Sequence, residues 1–329
     1  MRLLDIIVTH YKEDWSVGKK LFDMIGLQRC VDFSQIRVTI VNDGGNMILP
    51  KHLNAYPYKI EQVNIEHGGV SAARNAGIEH AEAKWVMFCD FDDNFANIYS
   101  LRQILNVLDT DEMDMLWCRI LAEDYLDGKQ LLYWVPEKQR FVFCHGKLYR
   151  RQFLIDSGIR FDTELVFNED SCFNAVIIAN TPYQRIGELK SPFPLYVWVR
   201  RENSVTNSGR IDEAAYGHFR RNMKVTEQYP VEDDRYDGMV TRTVYDTYYM
   251  VHGMRNSPQM KRRIQDEFAE WIAESDRTSH FGTVTEATMD EIRSVAKSEL
   301  LELGENIPDG PERVGRWVHD IARMYKEAG

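Results

Sequence analysis

Four short β-rich runs, each ending on polar residues and each followed by a helix-like stretch, constrain this chain more than anything else in it. Leu3 to Val8 passes into Thr9, His10 and Tyr11; Ile36 to Val41 ends in Asn42-Asp43-Gly44-Gly45; the less regular Ile60 to Ile65 leads into Gly68-Gly69-Val70-Ser71. Trp85-Val86-Met87-Phe88-Cys89 then runs straight into Asp90-Phe91-Asp92-Asp93-Asn94. A short continuous apolar run is the pattern of a buried strand. Strand, polar tip and helix recurring at roughly thirty to forty residues is the rhythm of βαβ units in a mostly parallel sheet. The tips are therefore predicted to line one edge, beyond the carboxyl ends of the strands, where ligands gather in open α/β sheets.

The carboxylates of the fourth tip carry the chemistry. If the backbone bends out of the strand, Asp90 and Asp92 face one point and can hold Mg²⁺ or Mn²⁺ together with substrate phosphates. The competing reading is a polar turn, since Asp and Asn are frequent there for reasons unrelated to metals.

Taken in order, the tips Thr9 to Tyr11, Asn42-Asp43-Gly44-Gly45, Gly69-Val70-Ser71-Ala72-Ala73-Arg74-Asn75-Ala76-Gly77 and Asp90-Phe91-Asp92-Asp93 resemble the signature of family 2 glycosyltransferases with the GT-A fold. Further on, His145-Gly146-Lys147-Leu148-Tyr149-Arg150-Arg151, Gly158-Ile159-Arg160-Phe161-Asp162 and Asn168-Glu169-Asp170 resemble the second half of the same catalytic domain, in which an acidic pair supplies the base. The resemblance spans Met1 to Asn207 and implies a Rossmann-like, mixed but mostly parallel sheet flanked by helices.

The resemblance also implies a nucleoside diphosphate sugar donor, with UDP the best match. Asp43 would accept a hydrogen bond from a base N–H, with Gly44 and Gly45 permitting the tight turn and Thr9 and Tyr11 forming the pocket wall; as local structure the last two are a cap and a half-buried aromatic. Arg74, in a small-residue segment expected to open a helix, suits a diphosphate; without the resemblance it reads as a solvent-facing helix residue. Asp92 is the first candidate metal ligand, with Asp90 towards the ribose or bridging through water, Asp93 behind them and His145 a further candidate. Asp170, with Glu169 beside it, is the candidate general base. The apolar positions Phe173, Val176, Ile177 and Ile178 put both acids at a helix start, where negative charge is stabilised; N-capping would also explain an Asp there. Lys147, Arg150 and Arg151 read as phosphate-reaching or as a solvated basic turn, and Arg200 and Arg201 as a basic element folded over the donor. Transfer would invert the anomeric centre, by the resemblance alone.

At 329 residues with 44% hydrophobics, the chain can bury a large core and hold two domains. A formal charge of −11 argues against a broad nucleic-acid-binding face, though a modified-base acceptor stays open. The N-terminus lacks a secretory h-region, and no apolar run nears the roughly 18 to 20 residues that span a bilayer. Cys30, Cys89, Cys118, Cys144 and Cys172 form no C-x-x-C pair, so the expectation is reduced thiols in a cytoplasmic protein.

After residue 210 the character changes. Asp212 to Gln228 and Asp233 to Met254 read as helices; Ser257-Pro258 caps a third through Ile264, Phe268, Trp271 and Ile272. Thr285 to Leu303 reads as a fourth. Asp309-Gly310-Pro311 opens a fifth carrying Val314, Trp317, Val318, Ile321 and Met324. The expected division is a GT-A catalytic domain over 1–210 and an all-helical region over 211–329, the latter a packing domain, an acceptor site or a homo-oligomer contact. Two rivals remain: an inactive sugar-nucleotide-binding scaffold on the same frame, and a haloacid-dehalogenase-type phosphatase using Asp90-Phe91-Asp92. The phosphatase pattern expects that motif on a first strand, whereas here three strands precede it. The acceptor is expected to be a saccharide or glycoconjugate hydroxyl.

Overall fold

A computed structural model of the chain describes residues 2–109, 112–126, 130–134, 142–200, 211–252, 257–280 and 311–328. The opening run forms β1 (Leu4–His10), followed by α1 (Trp15–Gly26), β2 (Ile36–Asp43), α2 (Pro50–Leu53), β3 (Lys59–Ile65), α3 (Gly69–His80) and β4 (Trp85–Asp90). The strands β1, β2 and β4 are almost wholly buried, as their mainly apolar sequences suit in strands covered on both faces, and the charged side chains near their starts, Asp5 of β1 and Arg37 of β2, pair with each other at 2.8 Å. β1 pairs in parallel with both β2 and β4, and β2 with β3. The register sets Thr9 opposite Asp90 and His10 opposite Asn42, so the predicted tips share one edge.

Beyond β4 come β5 (Asn94–Phe95), α4 (Ser100–Leu105), β6 (Met115–Trp117), β7 (Ile120–Leu126), β8 (Gln130–Trp134), β9 (Lys147–Arg150), α5 (Arg151–Asp156), α6 (Glu169–Asn180), β10 (Ile186–Glu188) and β11 (Tyr196–Val199). The main sheet runs β10-β6-β9-β4-β1-β2-β3, and a smaller one β5-β11-β7-β8. β9 is antiparallel to both its neighbours, and Arg150 pairs with Trp85 at the start of β4. That reversal carries Arg150 and Arg151 to the end of the sheet away from the tips, so they are not phosphate contacts. Lys147, at the other end of β9, is 2% exposed and donates to the Phe143 carbonyl rather than reaching outward.

Phe91 orients the fourth tip. Its ring is 2% exposed and packs on His10, Phe22 and Gly18 of α1, where an added Cβ would lie 2.5 Å from the ring. With Phe91 drawn inward, Asp90 and Asp92 on either side face out of the core.

The chain divides into two compact units, Met1–Ser208 and Gly209–Gly329. The second contains α7 (Ile211–Thr226), α8 (Tyr236–His252), α9 (Pro258–Ala273) and α10 (Pro311–Ala328). Ser257 caps α9 by accepting from the Met260 N–H at 3.2 Å, and Phe268 of α9 stacks on Trp317 of α10 with centroids 5.1 Å apart. Val314, Val318 and Ile321 are buried on α10 as its pattern predicts, but Met324 is 63% exposed and lies off the packed stripe. The helix expected over Thr285 to Leu303, the cap residues Asp309 and Gly310, and Arg201 with Glu202 to Thr206 lie outside the described residues. Cys89, Cys118, Cys144 and Cys172 are buried free thiols, while Cys30 is exposed. Among the described residues, no helix is long and apolar enough to cross a membrane.

Candidate active site

A cleft of about 550 Å³ opens at the carboxyl ends of β1, β2 and β4, facing the first turn of α6 and the end of β11. Of the residues singled out above, Thr9, Tyr11, Asp43, Arg74, Asp90, Asp92, His145, Glu169, Asp170 and Arg200 line it, whereas Asp93, Lys147, Arg150 and Arg151 do not.

The base-binding candidates come from β1 and β2. His10 is held by Asn42 at 3.2 Å and by the Glu13 carbonyl at 2.9 Å, while the Tyr11 N–H donates to Glu13 at 3.0 Å. An added Cβ on Gly45 would lie 1.1 Å from the Tyr11 carbonyl oxygen, so only glycine lets the two tips close. Asp43 has a structural task beside any ligand role: its carboxylate accepts from the N–H groups of Gly68 at 2.7 Å and Gly69 at 2.9 Å, and meets His67 Nδ1 at 2.8 Å. From a neighbouring strand it satisfies two of the orphan donors that every helix start leaves, here those of α3.

Arg74 is neither solvent-facing nor open to a diphosphate on its own. It is 3% exposed, with Nη1 2.8 Å from Glu169 Oε1 and Nη2 3.1 Å from Asp90 Oδ1, and its guanidinium lies 5.3 Å from the Phe161 ring centroid. It therefore ties the end of β4 to the start of α6. Asn75 beside it exchanges two hydrogen bonds with the Phe161 backbone, at 2.9 and 2.8 Å, fastening the segment that leads to α6.

Asp90 also accepts from Thr9 at 3.3 Å and contacts His145 Nε2 at 3.2 Å. Burial opposes its charge, but Arg74 and His145 outweigh burial and hold the carboxyl well below its ordinary range. Burial likewise opposes a charged His145, and its hydrogen bond to Asp90 with the charge of Asp93 raises its pKa nonetheless. Asp93 is 1% exposed and accepts from Tyr196 Oη and from the Val199 N–H. It thus anchors β11 behind the cleft, and burial pushes its carboxyl up to about 7.

Asn168 adopts a left-handed conformation, φ 64°, immediately before α6, a region Asn tolerates better than most residues. The turn delivers Glu169 and Asp170 into the first helical turn, as the spacing predicts. Asp170 is 8% exposed and accepts from the N–H of its neighbour Ser171 at 2.7 Å, while the N-cap position of α6 is Asn168. Burial and then the charge of Asp170 push the Glu169 carboxyl up to about 7, with Arg74 pulling only partly back.

Residues 5–164 match the family model for glycosyl transferase family 2. That segment, just under half of the chain, belongs to the family. It is 25% identical over 208 residues to the uncharacterized glycosyltransferase EpsJ of Bacillus subtilis, covering 55% of this chain and 59% of EpsJ. It is 25% identical over 225 residues to the poly(ribitol-phosphate) β-N-acetylglucosaminyltransferase TarS of Staphylococcus aureus, covering 64% of this chain and 38% of TarS. The chain thus spans about three fifths or less of the length of these relatives. The crystal structure of S. aureus TarS 1-349 in complex with UDP-GlcNAc superposes with a TM-score of 0.63 at 17% identity, over 99% of this chain and 92% of that one. The family's GT-A fold is the fold of this chain.

The residues present fit a divalent cation. Among the described residues, Glu13, Asp43, Asp90, Asp92, Glu169 and Asp170 line the cleft against only Arg74 and Arg200 as fixed cations, an excess of negative charge that a diphosphate could not join unaided. Donor atoms of Asp90, Asp93 and His145 lie within 4.8 Å of one another. Asp93 has both oxygens engaged by β11 and does not line the cleft, whereas Asp92 does.

Sequence reading missed His67, Glu13 and Trp198, all of which line the cleft. Trp198 stacks on His145 with centroids 5.2 Å apart. Only His67 had a signal to find it by, a ring directly after the β3 tip and before the paired glycines.

Proposed function

We propose that the chain is a metal-dependent, inverting glycosyltransferase that moves a sugar from a nucleoside diphosphate, UDP in the first instance, to a hydroxyl of a saccharide or glycoconjugate. The observation that carries this reading is the juxtaposition of two acidic centres across one cleft: Asp90, Asp92 and His145 at the strand tips, and Asp170 with Glu169 on α6, joined by Arg74. The TarS structure with bound UDP-GlcNAc and the N-acetylglucosaminyltransferase activity of TarS on poly(ribitol-phosphate) support the donor class and a wall-polymer type of acceptor.

In this reading Asp170 takes the proton of the acceptor hydroxyl, the oxygen forms its bond to the anomeric carbon, and the bond from that carbon to the diphosphate oxygen breaks on the opposite face. A single displacement inverts the centre. Asp92 and Asp90, with His145 as a further ligand, would hold Mn²⁺ or Mg²⁺, which when bound neutralises charge on the departing diphosphate. Thr9, Tyr11 and Asp43 surround the base. Residues 1–210 are the catalytic domain in this scheme, and 211–329 the helical domain.

A thermal-shift screen over nucleotide sugars with Mn²⁺ tests the reading, because a ligand that binds only the native state raises the melting temperature. UDP-sugars should raise it with Mn²⁺ and lose most of the effect with EDTA, and transfer to a wall-polymer saccharide should follow the same dependence. Undiminished transfer in EDTA would refute the role of Asp92.

A further inference from the structure

The side chain of His67 makes the contacts that a nucleobase would make in the same place. Its ring lies 4.3 Å from the ring of Tyr11, centroid to centroid, with the planes 11° apart. Its Nδ1 is 2.8 Å from Asp43 Oδ2 and 3.2 Å from the Asp43 carbonyl oxygen; facing two acceptors, that nitrogen carries the hydrogen. A flat ring stacked on Tyr11 and donating an N–H to Asp43 is what the reading above asks of a base.

The backbone of the residue is fixed and its side chain is not. Gly44 has φ 73°, and an added Cβ there would lie 2.9 Å from the His67 nitrogen, so the main chain of residue 67 rests against the tip of β2. The imidazole is 56% exposed and can rotate into solvent without opening the core. Meanwhile the places it fills are scarce. Asp43 Oδ2 already accepts from Gly69 and Oδ1 from Gly68, and the Lys12 ammonium lies 4.5 Å from the Tyr11 centroid.

We propose that His67 is an internal occupant of the nucleobase subsite, and that a donor's base enters by exchanging one stacked ring bearing an N–H for another. The proposal rests on the assignment of Tyr11 and Asp43 to the base. It makes His67 a determinant of affinity, because the protein binds only in the fraction of molecules whose ring has swung out. It also makes the exchange selective. Uracil and guanine offer a ring N–H to Asp43, whereas the matching nitrogen of cytosine and of adenine is an acceptor and would face the carboxylate unfavourably.

Calorimetric titration of UDP and CDP, with Mn²⁺, into the native protein and His67→Ala tests this. A stack and a hydrogen bond are surrendered on opening, so His67→Ala should bind UDP about tenfold more tightly, with CDP weak for both proteins. His67→Phe, which keeps the stack and loses the donor, should fall between them. In proton NMR the His67 ring resonances, shifted by the Tyr11 face, should move to solvent-exposed positions as UDP is added. UDP binding to His67→Ala with equal or lower affinity, or a His67 resonance that keeps its ring-current shift with UDP bound, would overturn the proposal and leave the donor assignment standing. Failure of any nucleoside diphosphate to bind either protein would overturn both.

Discussion

Arg74 carries more than its position in a small-residue helix start suggests, because two carboxylates from different elements converge on it. Removing one partner of a buried pair strands the others, at about 3–5 kcal/mol. Arg74→Gln should therefore lower stability by that order in urea unfolding, and adding Glu169→Gln should recover part of the loss. Purely additive losses would show that the two side chains do not work as a pair. Glu169 also links stability to pH. Its carboxyl, raised from 4.5 to about 7 by burial and Asp170, holds its proton more tightly in the native state than in the unfolded chain. That contribution is complete below pH 4.5 and disappears as pH rises through 7, a loss of up to about 3 kcal/mol. The urea midpoint of the native protein should therefore fall between pH 4.5 and pH 8 by more than that of Glu169→Gln, whatever constant cost the lost contact with Arg74 adds to the variant. Asp170→Asn keeps the shape and an acceptor for the Ser171 N–H but removes the proton acceptor. UDP binding should survive while transfer falls by about 10² to 10⁴ in kcat; near-native transfer would move the base to Glu169 or out of this motif.

At the scale of elements, the cleft depends on how closely β1 and β2 end together. Asn42 exchanges hydrogen bonds with Gly45 at 3.1 Å in both directions, and Gly45 backs onto the Tyr11 carbonyl. A methyl group there has nowhere to go. Gly45→Ala should cost about 3 kcal/mol or more and weaken UDP binding through displacement of Tyr11, measurable by thermal melting and calorimetry together. A fully stable Gly45→Ala protein would mean that the tips can separate without consequence. β4 and β11 are joined in a comparable way: Asp93 at the end of one accepts from Tyr196 and Val199 of the other. An acid placed beside candidate metal ligands in sequence thus belongs to the junction between two sheets.

For the whole molecule, the described residues that line the cleft all fall within Met1–Ser208. A protein ending at Ser208 should accordingly keep its fold and its affinity for UDP with Mn²⁺, with any loss confined to transfer or to self-association. Failure of that fragment to fold would show that the helical unit is needed to complete the core of the first. Retained transfer with a native oligomeric state would remove both functional roles considered for the helical unit.

Strand, tip and helix were legible from sequence because runs of apolar residues report burial directly: Ile6 to Val8, Ile40 to Val41 and Trp85 to Cys89 are the buried centres of β1, β2 and β4, and the one charged pair among them, Asp5 with Arg37, is buried as an ion pair at 2.8 Å. The start of α6 was legible for the same reason, since Glu169 and Asp170 sit just before an apolar helical stretch. Local order could not say what Arg74 touches, because its partners lie 16 and 95 residues away and only the parallel pairing of β1 with β4 and the return of α6 bring them together. Asp92 and Asp93 are neighbours of identical chemistry, and it was the family resemblance, not their own composition, that put Asp92 first. The inward pull of Phe91 and the arrival of β11 decide which one faces the cleft. The place of His67 after the β3 tip was visible, but its meaning comes from Tyr11 and Asp43 at the ends of two other strands, and proximity between strand ends is a property of the sheet's register rather than of any segment's composition.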